Sequence, residues 1–382
     1  MGAPRLNQPT SSVRGTGLET GRLLAAVEAA VTYYRAQLKD ADGPRAYLTE
    51  RGLGVVVQRE WPWRVGYAPP GWSSLTRHLR AAGFTPEELV GAGLSTRTRT
   101  DPDRLIDVFR DRVMFPVRDP DGYTVAFLGR SGPDAGKDVP KYINNPQTAI
   151  YNKRQLLFGV AEQQDRITAR WTPVLVEGPA DVLAVWLSYS RSRCAGAVAL
   201  APCGTSLTDT QATILRKLPG ATQGLVAAFD ADPAGRAAVD RAWHLLRQPR
   251  FPGPLLAAAF SAGADPADLL RRPYGKAQLR AALQRQAQPM LDKMLDHRLA
   301  QLIERHPRLL EDIGGRCAAV RILVPLVFEA PSPHEATRVA RSIAAATGVG
   351  VDTVAIAALA NLEDALCDLH LSSEPARIFD TT

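Results

Sequence analysis

The sequence of 382 residues is too long for one ordinary domain, and a hydrophobic fraction of 45% beside a charged fraction of 22% excludes a mainly disordered chain. Its net charge of +7 is uneven, because residues 1–160 carry 22 Lys and Arg against 16 Asp and Glu, whereas residues 161–382 carry 24 against 23. The basic first part favours an anionic partner such as nucleic acid, although a solvated basic surface gives the same count.

Residues 1–165 are predicted to form a polar lead-in followed by a basic α+β segment. The lead-in, 1–20, is rich in Gly, Pro, Ser and Thr and lacks an apolar leader core, so we predict disorder there. Helical spacing of apolar residues predicts helices over 21–38, 46–51, 75–82 and 86–91. We also predict a turn at 67–72, strands over 113–117 and 124–128 around a hairpin turn at 119–122, and an extended piece at 141–144.

From residue 171 the pattern changes to short apolar strands that alternate with helices. We predict strands over 173–176, 197–201, 224–229 and 255–260, and helices over 181–188, 208–218 and 233–246. This alternation is typical of a parallel sheet covered by helices on both faces. The predicted fold class is therefore α/β over 171–275, preceded by the α+β segment 21–165 and followed by a helical segment 276–382 with turns at 314–315 and 331–333.

Acidic residues follow three of the four predicted strands. Glu177 comes after the first strand, Asp230 and Asp232 after the third, and Asp265 and Asp268 after the fourth. Because ligands of parallel sheets bind at the carboxyl edge, we expect these carboxylates near one another. Grouped like charges are costly unless a cation neutralises them, and Mg²⁺ or Mn²⁺ accepts oxygen ligands.

Helix capping is the alternative explanation for two of these acids. Asp232 and Asp265 each precede a proline, and an Asp cap before a proline starts a helix without any metal. Each of them alone favours capping. Glu177 is a poor cap, so the three positions taken together favour a metal site.

Three runs of the sequence resemble the Toprim domain of bacterial DNA primases. They are VLVEGPADV at 174–182, CGTSLT at 203–208 and FDADPAGR at 229–236. The resemblance implies a Toprim-type parallel sheet flanked by helices. It also implies that Gly178, Asp181 and Gly204 occupy signature positions.

The same resemblance implies roles for the acidic residues. Glu177, Asp230 and Asp232 would be catalytic, and with Asp265 they would bind Mg²⁺ or Mn²⁺. The family has a second acid two residues after the one matched by Asp265, where this chain has Ala267. Asp268, one step further on, is the expected substitute ligand.

Further runs resemble the primase-specific amino-terminal subdomain and favour a primase over a topoisomerase. They are FRDRVMFPVRD at 109–119, PKYINNP at 140–146 and YNKR at 151–154, and the full resemblance covers about 24–270 in order. A solvated surface is the alternative for each lone Arg, and core packing is the simpler use of the tryptophans. The residues implied to contact nucleic acid or nucleotide are Arg130, Lys141, Tyr142, Asn144, Lys153, Arg51, Arg110 and Arg112.

The implied function is synthesis of short RNA primers from NTPs on a single-stranded DNA template. The alternatives are a Toprim-type metal nuclease and a non-catalytic remnant that binds single-stranded DNA. No CxxC pair occurs and no cysteine precedes Cys194, so we expect no zinc site and a zinc module or a replicative helicase as further partners. No stretch reaches the roughly 18 apolar residues of a membrane span, so we expect no membrane partner and a cytoplasmic location.

Overall fold

The computed structural model describes residues 19–58, 61–132, 135–136, 138–190, 196–204, 206–261 and 263–371, with the backbone alone at 363–371. The predicted lead-in lies outside these ranges except for its last two residues, where the first helix begins. The chain divides into two compact units, each built from separate stretches. Unit one takes the described parts of Met1–Trp171, Val176–Ile214 and Pro266–Leu279; unit two takes those of Thr172–Leu175, Leu215–Asp265 and Arg280–Thr382. The four-segment division stays a prediction.

Helices make up about half of the described residues. In chain order they are α1 Thr20–Lys39, α2 Asp42–Glu50, α3 Val55–Gln58, α4 Ser74–Ala81, α5 Pro86–Gly91, α6 Gln164–Thr168, α7 Pro179–Ser188, α8 Asp209–Lys217, α9 Pro233–Arg247, α10 Pro266–Leu270, α11 Gly275–Gln284, α12 Met290–Arg305, α13 Ile313–Leu323, α14 Pro325–Phe328, α15 Pro333–Thr347 and α16 Val351–Leu371.

The strands are short, and they occur in both units. In chain order they are β1 Gly66–Ala68, β2 Ser95–Arg97, β3 Leu105–Asp107, β4 Arg112–Arg118, β5 Thr124–Ser131, β6 Tyr142–Asn144, β7 Leu157–Phe158, β8 Thr172–Leu175, β9 Ala197–Pro202, β10 Leu225–Ala227, β11 Leu255–Ala257 and β12 Gln288–Pro289.

Unit one contains a four-stranded antiparallel sheet in the order β1-β4-β5-β6. The apolar stripe of α1 covers this sheet, and Tyr34 packs edge-on against Phe127 with ring centroids 5.3 Å apart. The predicted hairpin of β4 and β5 is confirmed, with Phe115 opposite Leu128. The predicted turn at 67–72 is wrong for its first two residues, which pair with β4 in β1.

The rest of unit one is built around α7, β9 and α10. Strand β7 pairs antiparallel with β9, and α7 packs against both β9 and α10. Almost every side chain of α7 is buried, including Asp181 in its first turn. A buried carboxylate requires polar partners. Asp181 near the amino end of the apolar helix α7 is therefore the feature of this region that bears on function.

Unit two contains three parallel strands, with β10 between β8 and β11. Val226 of β10 pairs with Val174 on one side and Leu256 on the other, which sets the register. Strand β12 pairs antiparallel with β11 inside a stretch that the sequence predicted to be helical. Helices α9 and α12 pack against each other beside these strands.

The helical end of unit two corrects one predicted turn. Gly314 and Gly315 lie in the first turn of α13, whose start is capped by Asp312: its Oδ1 accepts the Gly315 N–H at 2.8 Å. A Cβ at Gly315 would overlap the carbonyl of Leu309, so glycine is required here by close approach of the backbone and not by a turn. The predicted turn at 331–333 does separate α14 from α15.

Within the described ranges, no single helix is long and apolar enough to cross a membrane, although the bent pair Pro333–Thr347 and Val351–Leu362 together meets the length and composition.

Candidate active site

Two loops of unit two carry acidic residues and are joined through their backbones. We name residues 230–232, after β10, and 263–265, after β11, the acid loops. The Ala231 N–H donates to the Ala264 carbonyl at 3.3 Å, and the Gly263 N–H donates to the Ala231 carbonyl at 3.2 Å. The structure therefore brings Asp230, Asp232 and Asp265 onto adjacent loops at the carboxyl ends of parallel strands, as the sequence predicted.

Asp232 caps a helix in the way that the alternative interpretation predicted. Its Oδ1 accepts the Gly235 N–H at 2.8 Å at the start of α9, where Pro233 takes the first helical position. Gly235 itself lies so close to Asp230 that a Cβ there would overlap the Asp230 carbonyl. The FDADPAGR run thus combines a capped helix start with a tight backbone approach that holds Asp230 in place.

The acid loops offer the donor chemistry of a hard cation. All three side chains are carboxylates, and Asp265 is buried at 7% exposure while Asp230 and Asp232 are partly buried. Carboxylate oxygens are the ligands that Mg²⁺ and Mn²⁺ prefer. Nevertheless, among the described residues no three or more His, Cys, Asp or Glu side chains meet in a geometry that could hold a metal ion.

Glu177 lies in unit one and is exposed. It follows Val176, whose N–H donates to the Leu200 carbonyl of β9 at 3.0 Å, and precedes Gly178, which starts α7. A Cβ at Gly178 would lie 3.2 Å from the Tyr142 hydroxyl oxygen, so glycine leaves room for that ring. Sheet pairing on one side and a helix start on the other therefore fix the backbone of Glu177 while its side chain faces solvent.

The two other acids of unit one are already engaged within that unit. Asp181 is 7% exposed, and its Oδ1 accepts the Ala267 N–H at the start of α10 at 3.4 Å. Asp268 forms an ion pair with Arg51 at 2.8 Å and a longer one with Arg271 at 3.5 Å. Arg51 and Asp268 were predicted to contact nucleic acid and metal, respectively. The structure pairs them with each other, and both roles stay predictions.

Arg130 is one of two predicted cations that are buried, at 8% exposure. Its Nη1 donates to the Tyr142 hydroxyl at 2.8 Å, and its guanidinium lies over the rings of Tyr142 and Tyr47, 5.2 and 5.6 Å from their centroids. Burial lowers the pKa of Arg130, but the oxygens of Tyr142, Tyr47 and Asp181 outweigh it and raise the pKa overall. Burial also raises the pKa of Tyr142 to about 12. Arg130 therefore stays cationic and Tyr142 stays a neutral hydroxyl.

The remaining predicted cations differ in their surroundings. Arg112 is 6% exposed, and its Nη1 donates to the carbonyls of Pro140 at 2.9 Å and Gly129 at 3.3 Å, which is a structural use. Arg110 donates to the Asp107 carbonyl and stacks on Trp72 at 4.5 Å. Lys141 and Lys153 are both exposed. Of these four cations, the two lysines are the ones whose exposure suits direct contact with a phosphate backbone.

Three other predicted positions have simpler surroundings. Asn144 is partly buried in β6, and its Oδ1 has no hydrogen-bond partner among the described residues. Around Gly204, no described atom lies within 4 Å of where a Cβ would be, so the structure shows no steric need for glycine. Trp63 is 1% exposed and belongs to the core, as predicted, whereas Trp72 is 61% exposed under Arg110.

Tyr47 was missed by the sequence reasoning. It lies in α2 and contributes one of the two rings beside the Arg130 guanidinium. A single tyrosine on a short amphipathic helix carries no signal of this kind, because only the fold brings α2 to β5.

Two stretches of the chain match models of known protein families. The family model for the DNA primase catalytic core, N-terminal domain, matches residues 33–164, and the Toprim-like model matches 174–270. The RNA polymerase domain of Mycobacterium tuberculosis primase DnaG aligns with a TM-score of 0.69 and 32% identity over 86% of this chain and 99% of that domain. The chain belongs to the family of DnaG-type DNA primase catalytic cores. The predicted resemblance and the α/β Toprim fold class are thereby confirmed.

Other relatives agree with this assignment. A DNA primase domain from Pseudomonas aeruginosa aligns with a TM-score of 0.65 and 29% identity, covering 88% of this chain and 99% of that domain. The DNA primase of Mycolicibacterium smegmatis is 34% identical over 91% of this chain and 52% of its own length. The chain thus spans about half the length of the curated primases that it matches.

Proposed function

We propose that this chain synthesises short RNA primers on single-stranded DNA by metal-dependent nucleotidyl transfer. The observation that carries the proposal is the alignment with nearly the whole RNA polymerase domain of the M. tuberculosis primase. In the reaction, a 3′-hydroxyl attacks the α-phosphate of an NTP and pyrophosphate leaves. A DnaG primase catalytic domain bound to single-stranded DNA aligns with a TM-score of 0.62 and 30% identity, which supports single-stranded DNA as the template.

We propose that the acidic residues hold the metal ion and accept the proton in the reaction at the phosphate. Asp230, Asp232 and Asp265 on the acid loops would hold Mg²⁺ or Mn²⁺, which would stabilise the charge that develops on the phosphate oxygens. The family resemblance implies Glu177 as a further ligand. The exposed Glu177 carboxylate is the candidate acceptor of the hydroxyl proton. Asp268 is the weaker ligand candidate because it is paired with Arg51.

We assign the basic and polar residues to the anionic substrates. Arg130, kept cationic and oriented by Tyr142, would bind a phosphate of the NTP or template through its planar fork. The exposed Lys141 and Lys153 would act as point charges along the template backbone. Asn144, with an unpaired Oδ1 among the described residues, would contact nucleotide or template.

The further partners follow from the family. A replicative helicase and a zinc-binding module on another chain are the proposed partners for initiation. A protein that acts on replicating bacterial DNA works in the cytoplasm, which is the proposed location.

The test is a primer-synthesis assay with purified chain, single-stranded DNA, labelled NTPs and Mg²⁺ or Mn²⁺. We expect short labelled products that Glu177→Ala reduces by at least about 100-fold, in line with loss of a catalytic acid or base. Glu304→Ala, an exposed acid on α12, is the matched control and should leave synthesis unchanged.

Three other outcomes would contradict or restrict the proposal. DNA cleavage without synthesis would establish the nuclease alternative. DNA binding without synthesis or metal binding would establish the remnant. Synthesis only after a primer or a zinc module is added would confirm the chemistry and assign initiation to a partner.

A further inference from the structure

Unit two contains a second cavity, away from the acid loops. It has a volume of about 430 Å³ and we name it the arginine cavity. The residues that matter for its chemistry are Trp243, Arg247, Arg250, Phe251, Glu335 and Arg338.

The arginine cavity lies at the opposite edge of the parallel strands from the acid loops. Its lining includes Thr222, which precedes β10, and Pro254, which directly precedes β11. The acid loops follow the carboxyl ends of these same two strands. A ligand in this cavity would therefore occupy a place distinct from the candidate active site.

The charges that line the cavity are only partly balanced. Arg338 donates to Glu335 at 2.8 Å and also pairs with Asp292, so this trio has one negative charge in excess. Arg247 and Arg250 form no hydrogen bond or ion pair with any part of the chain that the structure describes. The Nε of Arg247 is moreover buried. A buried guanidinium N–H without an acceptor is costly, so the cavity is suited to an anion.

One part of the cavity lining is apolar. Trp243 and Phe251 line it and are each 3% exposed, and the Trp243 indole N–H is already satisfied by Glu329 at 2.7 Å. Four prolines, Pro252, Pro254, Pro289 and Pro331, add further apolar surface. An apolar lining beside free cations suits a ligand with an apolar ring and an anionic group, and the volume is in the usual range for a small-molecule site.

We propose that the arginine cavity binds a nucleoside diphosphate, with the base against the apolar walls and the phosphates on Arg247 and Arg250. Two unpaired guanidinium groups match a diphosphate because each guanidinium can bind phosphate oxygens through two parallel N–H donors. The cavity contains no acid loop residue, so binding does not require a metal ion. This absence of a metal requirement separates the site from nucleotide binding at the candidate active site.

Equilibrium dialysis of labelled ADP and GDP against the full chain in EDTA tests the proposal. We expect about one equivalent bound per chain, and an affinity reduced about tenfold or more by Arg247→Ala and by Arg250→Ala, as for loss of charge-assisted hydrogen bonds. Arg250 is exposed, so its replacement should leave folding intact, which thermal unfolding checks. Arg241→Ala, an exposed arginine of α9 outside the cavity, is the matched control.

Two results would overturn the proposal. Absence of ADP and GDP binding, or binding that both cavity variants leave unchanged, would show that the cavity is not a nucleotide site. Inorganic pyrophosphate that binds as tightly as ADP would show an anion site without a place for the base.

Discussion

The acidic residues of the two units are held in different ways. In unit two the acid loops are joined by backbone hydrogen bonds, and Asp232 is fixed by capping α9. In unit one the charges are held by one another, as Asp268 is by Arg51, or by side-chain contacts, as Arg130 is by Tyr142. Backbone hydrogen bonds fix the loop that carries a carboxylate, whereas an ion pair fixes the side chain and neutralises its charge. The acid loops, which the main chain holds in place, are therefore the ones to which we assign the proposed cation site.

The largest expected effect comes from disturbing the close approach of Gly235 to the Asp230 carbonyl. Gly235→Ala places a Cβ on the Asp230 carbonyl, so the acid loop has to shift. We expect destabilisation of about 3 kcal/mol, as for overpacking of a tight site, and a loss of primer synthesis that is larger than the loss of stability explains.

Urea unfolding and the synthesis assay measure these two effects. Gly43→Ala in α2 is the control, because no described atom lies within 4 Å of its added Cβ. A Gly235→Ala protein with full activity would show that the position of Asp230 is not set by this contact.

The ion pair of unit one allows an intermediate test. Arg51 and Asp268 are only 16% and 18% exposed in their side chains, so removal of one partner leaves a largely enclosed charge. We expect a coupling energy of about 1–3 kcal/mol in a double-mutant cycle of Arg51→Ala and Asp268→Ala, measured by urea unfolding. If Asp268 instead acted mainly as a metal ligand, Asp268→Ala would abolish synthesis while Arg51→Ala preserved it.

The smallest effect concerns Glu162, a carboxyl group of unit one that has no ion pair among the described residues. Burial raises the pKa of Glu162 to about 7. The folded state disfavours the charged form of Glu162. The contribution of this carboxyl group to folding stability is therefore fully present below the ordinary pKa near 4.5, and it is lost as the pH rises through about 7.

Glu162→Gln should therefore stabilise the protein at pH 8 and have little effect at pH 4.5. We expect about 1 kcal/mol, less than the full pKa shift corresponds to, because the Glu162 side chain is partly exposed and solvent screens its charge. Thermal unfolding at the two pH values measures this difference, with Glu50→Gln on α2 as the exposed control. Equal effects at both pH values would show that Glu162 is charged in the folded protein as readily as in the unfolded chain.

Sequence reasoning succeeded where a physical constraint is local. The β4–β5 hairpin and the Asp232 cap both depend on residues a few positions apart, and the structure confirms both. Placement of Asp230, Asp232 and Asp265 after parallel strands also succeeded, because alternating strands and helices indicate a parallel sheet.

Sequence reasoning failed where interacting residues are distant along the chain. It also failed where a glycine is required by close approach of the backbone and not by a turn. The pairing of Arg51 with Asp268 joins residues 217 positions apart, and nothing in either local run indicates it. Gly314 and Gly315 were predicted as a turn because glycine is common there, but Gly315 is required by the nearby Leu309 carbonyl. Likewise, β12 is too short to show a strand pattern and exists through its pairing with β11.

The cap at Asp232 has a consequence for how this position can vary over evolution. One carboxylate oxygen starts α9 through the Gly235 N–H. Asparagine would keep that cap but lose the negative charge, whereas glutamate would keep the charge but is a poor cap. Aspartate alone meets both the capping requirement and the negative charge that the proposed cation site needs. We therefore expect a homologue with another residue here to have either a weaker start of α9 or weaker cation binding.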